Sequence, residues 1–130
     1  TLADFDNYKR RVEQEKAAWT DQAKIEFLES ILPVLDNLAL MASHQPDELK
    51  NNSWAQGVGL VAKQIDETLM QEGIEKIVPA PGDLFNPSTQ EAVSTEENTG
   101  IESGKIVRVQ KPGFRINDKI IRVAQVVTSK

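Results

Sequence analysis

Few residues in this sequence could do chemistry. His44 is its only histidine, and there is no cysteine. A single imidazole supports neither a metal site nor a Ser-His-Asp triad. Without thiols there is no disulfide framework and no thiolate nucleophile. Gly57-Val58-Gly59 could pass for a fragment of a phosphate loop, but no strand pattern precedes it and no third glycine follows at the required spacing. The carboxylates along residues 1–36 read as a solvated helix face, not an acid–base pair. The expectation is a protein that is not an enzyme, with no catalytic residue, no cofactor and no metal.

What remains is charge. The net charge is -5, and it is unevenly spread. Residues 1–73 hold 7 Lys or Arg against 13 Asp or Glu, whereas residues 105–130 hold 7 basic residues and one acid, Asp118. Two basic groups stand out: Lys9-Arg10-Arg11, and the strip Lys105, Arg108, Lys111, Arg115, Lys119, Arg122. Each has a plain reading. The first gives solubility and i to i+4 pairing, such as Arg11 with Glu15. The second keeps edge strands from aggregating. Each also has a functional reading, as a contact for an acidic partner. An acidic whole argues against a general nucleic-acid binder, which needs a basic face. No apolar run reaches the ~20 residues of a membrane span.

The elements that must position these charges divide the chain into three: a stalk over 1–24, a helical hairpin over 25–73 and a small β domain over 74–130. The hairpin organises the rest. In residues 25–42, Leu28, Ile31, Leu35, Leu38 and Ala42 make one apolar stripe on a helix, and Phe27, Val34 and Met41 make a second beside it. A face that wide needs partners on two sides. One later segment, Trp54 to Met70, offers a partner helix through Trp54, Val58, Val61, Ile65 and Leu69. The simplest solution is a homodimer in which each chain gives two helices to a four-helix bundle. Pro33 kinks the first of these helices, unless Ser30 caps a fresh one. Pro46 stops it, and Gly73 ends the second. Gly57 and Gly59, inside the second helix, suggest a close backbone approach by other bundle helices or by a partner.

Phe5, Tyr8, Val12 and Trp19 of the stalk follow a two-stranded seam, which Glu15 and Gln22 spoil. Between Trp19 and Leu28 the stripe slips by nine residues where seven would hold register, so a break is expected between Trp19 and Phe27. After Gly73 the helical period disappears. Short β runs follow at Ile74–Val78, Glu91–Thr95, Lys105–Gln110 and Ile120–Thr128, with Pro112-Gly113 and Asn117-Asp118 as turn pairs. Phe85 is expected in the small core. A β unit of this size is marginal alone and should gain stability by resting on the bundle. The fold class is therefore α+β: long paired N-terminal helices and a dimeric four-helix bundle, followed by a small antiparallel β domain.

The chain resembles the GrpE nucleotide exchange factors of DnaK-type heat-shock chaperones. The resemblance runs through FDNYKRR (5–11), LPVLDNL (32–38), Gly57, EGIEKI (72–77), FNPSTQEAV (85–93), QKPGF (110–114) and NDKIIRVAQVVTSK (117–130). It covers nearly all of the chain. Gln90 stands where the family usually has His, Val123 and Gln125 replace the usual Pro or Ala and Met, and Asp118 replaces a common Gly.

The resemblance implies a homodimeric co-chaperone that binds the ATPase domain of a DnaK-type chaperone, opens its nucleotide cleft and promotes ADP release. By position, Lys9, Arg10, Gly57, Val109, Lys119 and Thr128 match chaperone-contacting sites. Leu28, Ile31, Leu35, Leu38, Trp54, Val58, Val61 and Ile65 are the expected dimer interface. Neither nucleic acid nor membrane is an expected partner. The chain starts at Thr1 in helical sequence, so a trimmed start is expected. The location is then bacterial cytoplasm or, with a lost targeting segment, an organelle matrix or stroma. The alternative is a coiled-coil dimerisation scaffold without exchange activity, for which Lys119→Glu and Val109→Asp would leave partner binding intact.

Overall fold

A computed structural model describes residues 1–130 and divides them into two units, Thr1–Leu35 and Asp36–Lys130. The helix α1 (Leu2–Ser43) makes up nearly all of the first unit, and its last residues begin the second. It is continuous. The expected break between Trp19 and Phe27 is absent, because the slipped apolar stripe concerns pairing and not the backbone. No Gly or Pro occurs from Leu2 to Leu32, so every amide there can keep its i−4 partner. Pro33 lies inside α1. Ser30 does not cap a new helix: its hydroxyl donates back to the Phe27 carbonyl at 2.6 Å. In the first unit Ile25, Leu28 and Leu32 are buried, whereas Phe5, Tyr8, Val12 and Trp19 are exposed. Arg11 does not pair with Glu15; its guanidinium lies over the Tyr8 ring, 5.5 Å from the centroid.

In the second unit α1 ends at a polar connection with one 3-10 turn, Asp47–Leu49. The helix α2 (Ser53–Gln71) begins behind Asn52, whose side-chain oxygen accepts from the amides of Trp54 and Ala55 at 2.9 and 3.3 Å. Gln45 crosses the connection and donates to the Ala55 carbonyl at 2.7 Å. Gly73, with φ +81, turns the chain out of α2 directly into the first strand.

Six strands follow: β1 (Ile74–Ile77), β2 (Gln90–Glu96), β3 (Ile106–Lys111), β4 (Gly113–Ile116), β5 (Lys119–Arg122) and β6 (Ala124–Ser129). They form two three-stranded sheets, ordered β1-β4-β5 and β2-β6-β3. The β unit is mixed, not purely antiparallel, because β2 runs parallel to β6. The expected single strand Ile120–Thr128 is two strands that belong to different sheets, parted at Val123. Pro112 does mark a corner, but Gly113 opens β4, a strand that no apolar run announces.

Gly113 sits where the chain crosses between sheets. A Cβ there would lie 2.6 Å from the Ala124 nitrogen and the Arg122 carbonyl oxygen, both backbone atoms. Only glycine lets the strands approach this closely. The core beside this crossing is Ile106, Ala124 and Val126, with Ile77, Phe85 and Val109 packed against it. Phe85 thus takes the expected core place. The β unit also rests on α2: Asp66, Leu69 and Met70 share a groove of about 500 Å³ with Ile74, Glu75, Lys76 and Phe114. Lys76 reaches across it to Asp66 at 3.4 Å.

Candidate functional site

The basic strip of the β unit is the natural starting place, and most of it is neutralised. Lys105 pairs with Glu102 at 2.9 Å, Arg108 with Glu96, and Arg115 with Glu75 at 2.8 Å. Arg122 pairs with Asp36 at 2.6 Å. Lys111 and Lys119 alone among the six strip residues have no acidic partner, and both are exposed. The exposed pairs among these add little stability, whereas the Arg122–Asp36 pair is sheltered. The strip therefore presents two separate cations rather than a basic face.

Lys119 opens β5, opposite Ile116, behind the two-residue turn Asn117-Asp118. Asn117 takes φ 53, which Asn tolerates better than other side chains. Beside this turn is an open hollow lined by Glu75, Arg115, Asn117, Asp118 and Ile120. Val109 and Thr128 lie in the other sheet. Val109 faces Val126 in register and packs on the small core, so part of its surface serves the fold. Thr128 is buried at 7% exposure, between Thr95 of β2 and Ile106 of β3. Of the three β-unit positions, Lys119 alone is exposed.

Gly57 and Gly59 lie within α2, and a Cβ at either would meet nothing within 4 Å. The close approach their presence suggested is not made within this chain. Lys9 and Arg10 are exposed on α1 and carry no ion pair. Of the expected interface residues, Leu28 is buried and Ile31, Leu35, Leu38, Val58 and Ile65 are half-buried. Trp54 and Val61 are exposed, at 70% and 46%.

His44 has a structural task. Its Nδ1 lies 3.0 Å from the Leu40 carbonyl and 2.9 Å from the Ser43 hydroxyl, which itself donates to Leu40 at 3.1 Å. Both groups thus satisfy the last turn of α1. No carboxylate orients the ring, so the adjacent Ser and His do not form a nucleophilic pair. Gln90, one of the departures from the family pattern, is also internal. It is 9% exposed, and its side-chain oxygen accepts from the Asn86 amide at 2.9 Å. That departure bears on a turn inside the β unit.

The constellation that sequence reading missed surrounds Arg122. Its guanidinium donates from Nη1 to Asp36 Oδ2 at 2.6 Å and from Nη2 to Asp36 Oδ1 at 2.8 Å. It also donates to the Pro112 carbonyl, at 3.1 Å from Nε and 2.6 Å from Nη2. The same group lies 5.6 Å from the Phe114 ring centroid. In sequence Arg122 looks like one more strip cation and Asp36 like one more solvated carboxylate. Eighty-six positions separate them, and no local signal joins them.

The chain thus combines two long helices with two small sheets and a few unpaired, exposed cations, Lys9, Arg10, Lys111 and Lys119. The profile of the GrpE family matches residues 1–130. Among curated relatives, Protein GrpE of Bacillus licheniformis is 35% identical over 124 residues, covering 95% of this chain and 63% of that protein. Protein GrpE of Halalkalibacterium halodurans is 32% identical over the same length, with the same coverage. Protein GrpE of Bacillus cereus is 33% identical, covering 95% of this chain and 65% of the relative. The chain belongs to the GrpE family, and it spans less than two thirds of the length of these relatives.

Proposed function

We propose that this chain is a nucleotide exchange factor: a co-chaperone that binds the ATPase domain of a DnaK-type chaperone, opens its nucleotide cleft and so promotes ADP release. The observation that carries this reading is the match to the GrpE family over residues 1–130. The surface is compatible with it, since exposed and unpaired Lys9, Arg10 and Lys119 can meet an acidic partner at little desolvation cost.

The mechanism is one of linkage. The factor must bind the open lobe arrangement of the chaperone more tightly than the closed one, or it shifts nothing. By reciprocity, the factor by which it weakens nucleotide binding is the factor by which nucleotide weakens its own. ATP rebinding then ejects it, and the exchange factor needs no catalytic residue.

We further propose that the working form is a homodimer. Phe27, Val34, Met41, Trp54 and Val61 leave apolar surface on both helices that a single chain does not cover. In this reading 1–24 is a paired stalk, 25–73 is half of a four-helix bundle, and 74–130 is the β domain that enters the chaperone. Gly57 faces a partner backbone, and Lys119 is the principal β-domain contact. Val109 and Thr128 act partly by shaping the other sheet.

The test is release of a fluorescent ADP from a DnaK-type chaperone. The protein should speed release severalfold or more, and Lys119→Glu should raise the concentration needed for half-maximal effect about tenfold. An unchanged release rate with the parent protein refutes exchange and leaves the scaffold reading. Lys119→Glu is the informative variant because Lys119 is exposed. Val109→Asp would place a carboxylate against Ile106, Ala124 and Val126, and so would test folding instead of contact.

A further inference from the structure

We propose that the Arg122–Asp36 pair is a positioning clamp that holds the β4–β5 hairpin at a fixed place on the end of α1. The proposal deepens the exchange reading, because Lys119 lies on that hairpin and its contact with a partner depends on where the hairpin is held.

Three observations carry it. First, the geometry is a two-pronged fork: both Asp36 oxygens are taken, by two different guanidinium nitrogens, at 2.6 and 2.8 Å. A planar fork fixes orientation as well as distance. Second, the pair is sheltered. The side chains are 19% and 16% exposed, unlike the other pairs of the β unit, which are 32% or more. Third, Arg122 is itself immobilised. The Pro112 carbonyl takes two of its N–H groups, and the Phe114 ring, which is 3% exposed, supports its face. A guanidinium seated in this way on the β4–β5 sheet presents a rigid socket, and Asp36 is the one side chain of α1 that fills it. The Cα register of β5 places Lys119 against Ile116 and Arg122 against Phe114, so the clamp and the contact residue stand at opposite ends of one four-residue strand.

Loss of the clamp should leave both elements folded and loosen the relation between them. A partner would then meet an ensemble of hairpin placements, and binding would fall by the fraction held in the right one. Arg122 and Asp36 are therefore positioning residues, distinct from the residues that touch the chaperone.

The absence of cysteine allows two to be introduced for spin labels, Asn37→Cys on α1 and Asp118→Cys at the hairpin turn. Both positions are exposed, and the labelled chain is diluted with unlabelled chain so that distances are read within one chain. The parent should give one narrow distance distribution. Asp36→Asn removes the charge with little change of shape and lies outside the β core, so circular dichroism should stay unchanged while the distribution broadens. Arg122→Lys keeps the charge, loses the fork and should broaden it equally. The double variant should be no worse than either single one, as for two residues acting as a unit. In the ADP release assay, with unlabelled chains, Asp36→Asn should raise the half-maximal concentration about fivefold to tenfold and leave the saturating rate unchanged. A distribution that stays narrow in both single variants overturns the clamp. A parent protein without effect on ADP release overturns the exchange reading alone, since the distance measurement uses no chaperone.

Discussion

Two glycines show how differently one residue type can be constrained. At Gly113 any side chain meets backbone: the nearest atoms are the Ala124 nitrogen, the Arg122 oxygen and, at 2.9 Å, the Val123 carbonyl carbon. Backbone in two paired sheets cannot give way cheaply. Gly113→Ala should therefore destabilise the β unit by about 3 kcal/mol or more, at the upper end of overpacking effects. A urea titration followed through the amide resonances of residues 124–129 reads this directly. At Gly57 the same substitution meets open space inside a helix, and there Ala should stabilise α2 by up to about 1 kcal/mol. If a partner backbone covers that position in the complex, Gly57→Ala will raise stability and lower affinity together. An affinity equal to the parent's would remove Gly57 from the contact surface. Nothing local in the sequence separates these cases. Gly113 followed Pro112 and read as a turn, because the atoms that forbid a Cβ arrive from residues 122–124. Arg122 and Asp36 were illegible for the same reason.

Elements were legible where their signal was periodic. The apolar stripe and Gly73 placed α2 closely, although its Asn52 cap went unread, and Pro46 and Gly73 stand where the helices give out. The β unit was only half legible. β1, β2 and β3 announced themselves as short β-type runs, but β4 is four residues long and starts with glycine, and the run 120–128 conceals a change of sheet. The parallel pairing of β2 with β6 is non-local and leaves no mark in either strand. The continuity of α1 has a consequence for heat. Residues 1–24 include no buried residue, and their seam is spoiled at Glu15 and Gln22. A helical segment that buries nothing is marginal at this length, and in the proposed homodimer only pairing with a second copy would hold it. Circular dichroism on heating should therefore show two steps. The first should lose the signal of roughly twenty residues at the lower temperature, and the second should melt the remainder. A single cooperative transition would mean that α1 melts as one unit with the rest.

At the scale of the molecule, the question is what covers the apolar surface of the helices. Phe27, Val34, Leu40 and Met41 on α1 and Trp54, Leu60, Val61 and Met70 on α2 are all exposed, the least of them by 46%. A second copy is the partner a homodimer supplies, and its two-fold symmetry means that each substitution acts twice. Val61→Glu isolates this effect. Within one chain Val61 is exposed, and Glu is the better helix former, so the lone helix should not be weakened. In a dimer, two buried valines worth about 1.5 kcal/mol each are replaced by two charges with no partner. The dissociation constant should then rise about a hundredfold or more, since each 1.4 kcal/mol is tenfold. Sedimentation equilibrium across a concentration series should show the parent at twice the mass of the 14.5 kDa chain, with Val61→Glu shifted towards one. A parent that sediments as one chain at every concentration rules out the dimer. An unchanged constant in Val61→Glu moves the interface away from this face of α2. If dissociation also raises the concentration needed to speed ADP release, while Lys119→Glu acts without changing the mass, then assembly and chaperone contact lie on separate surfaces of the chain.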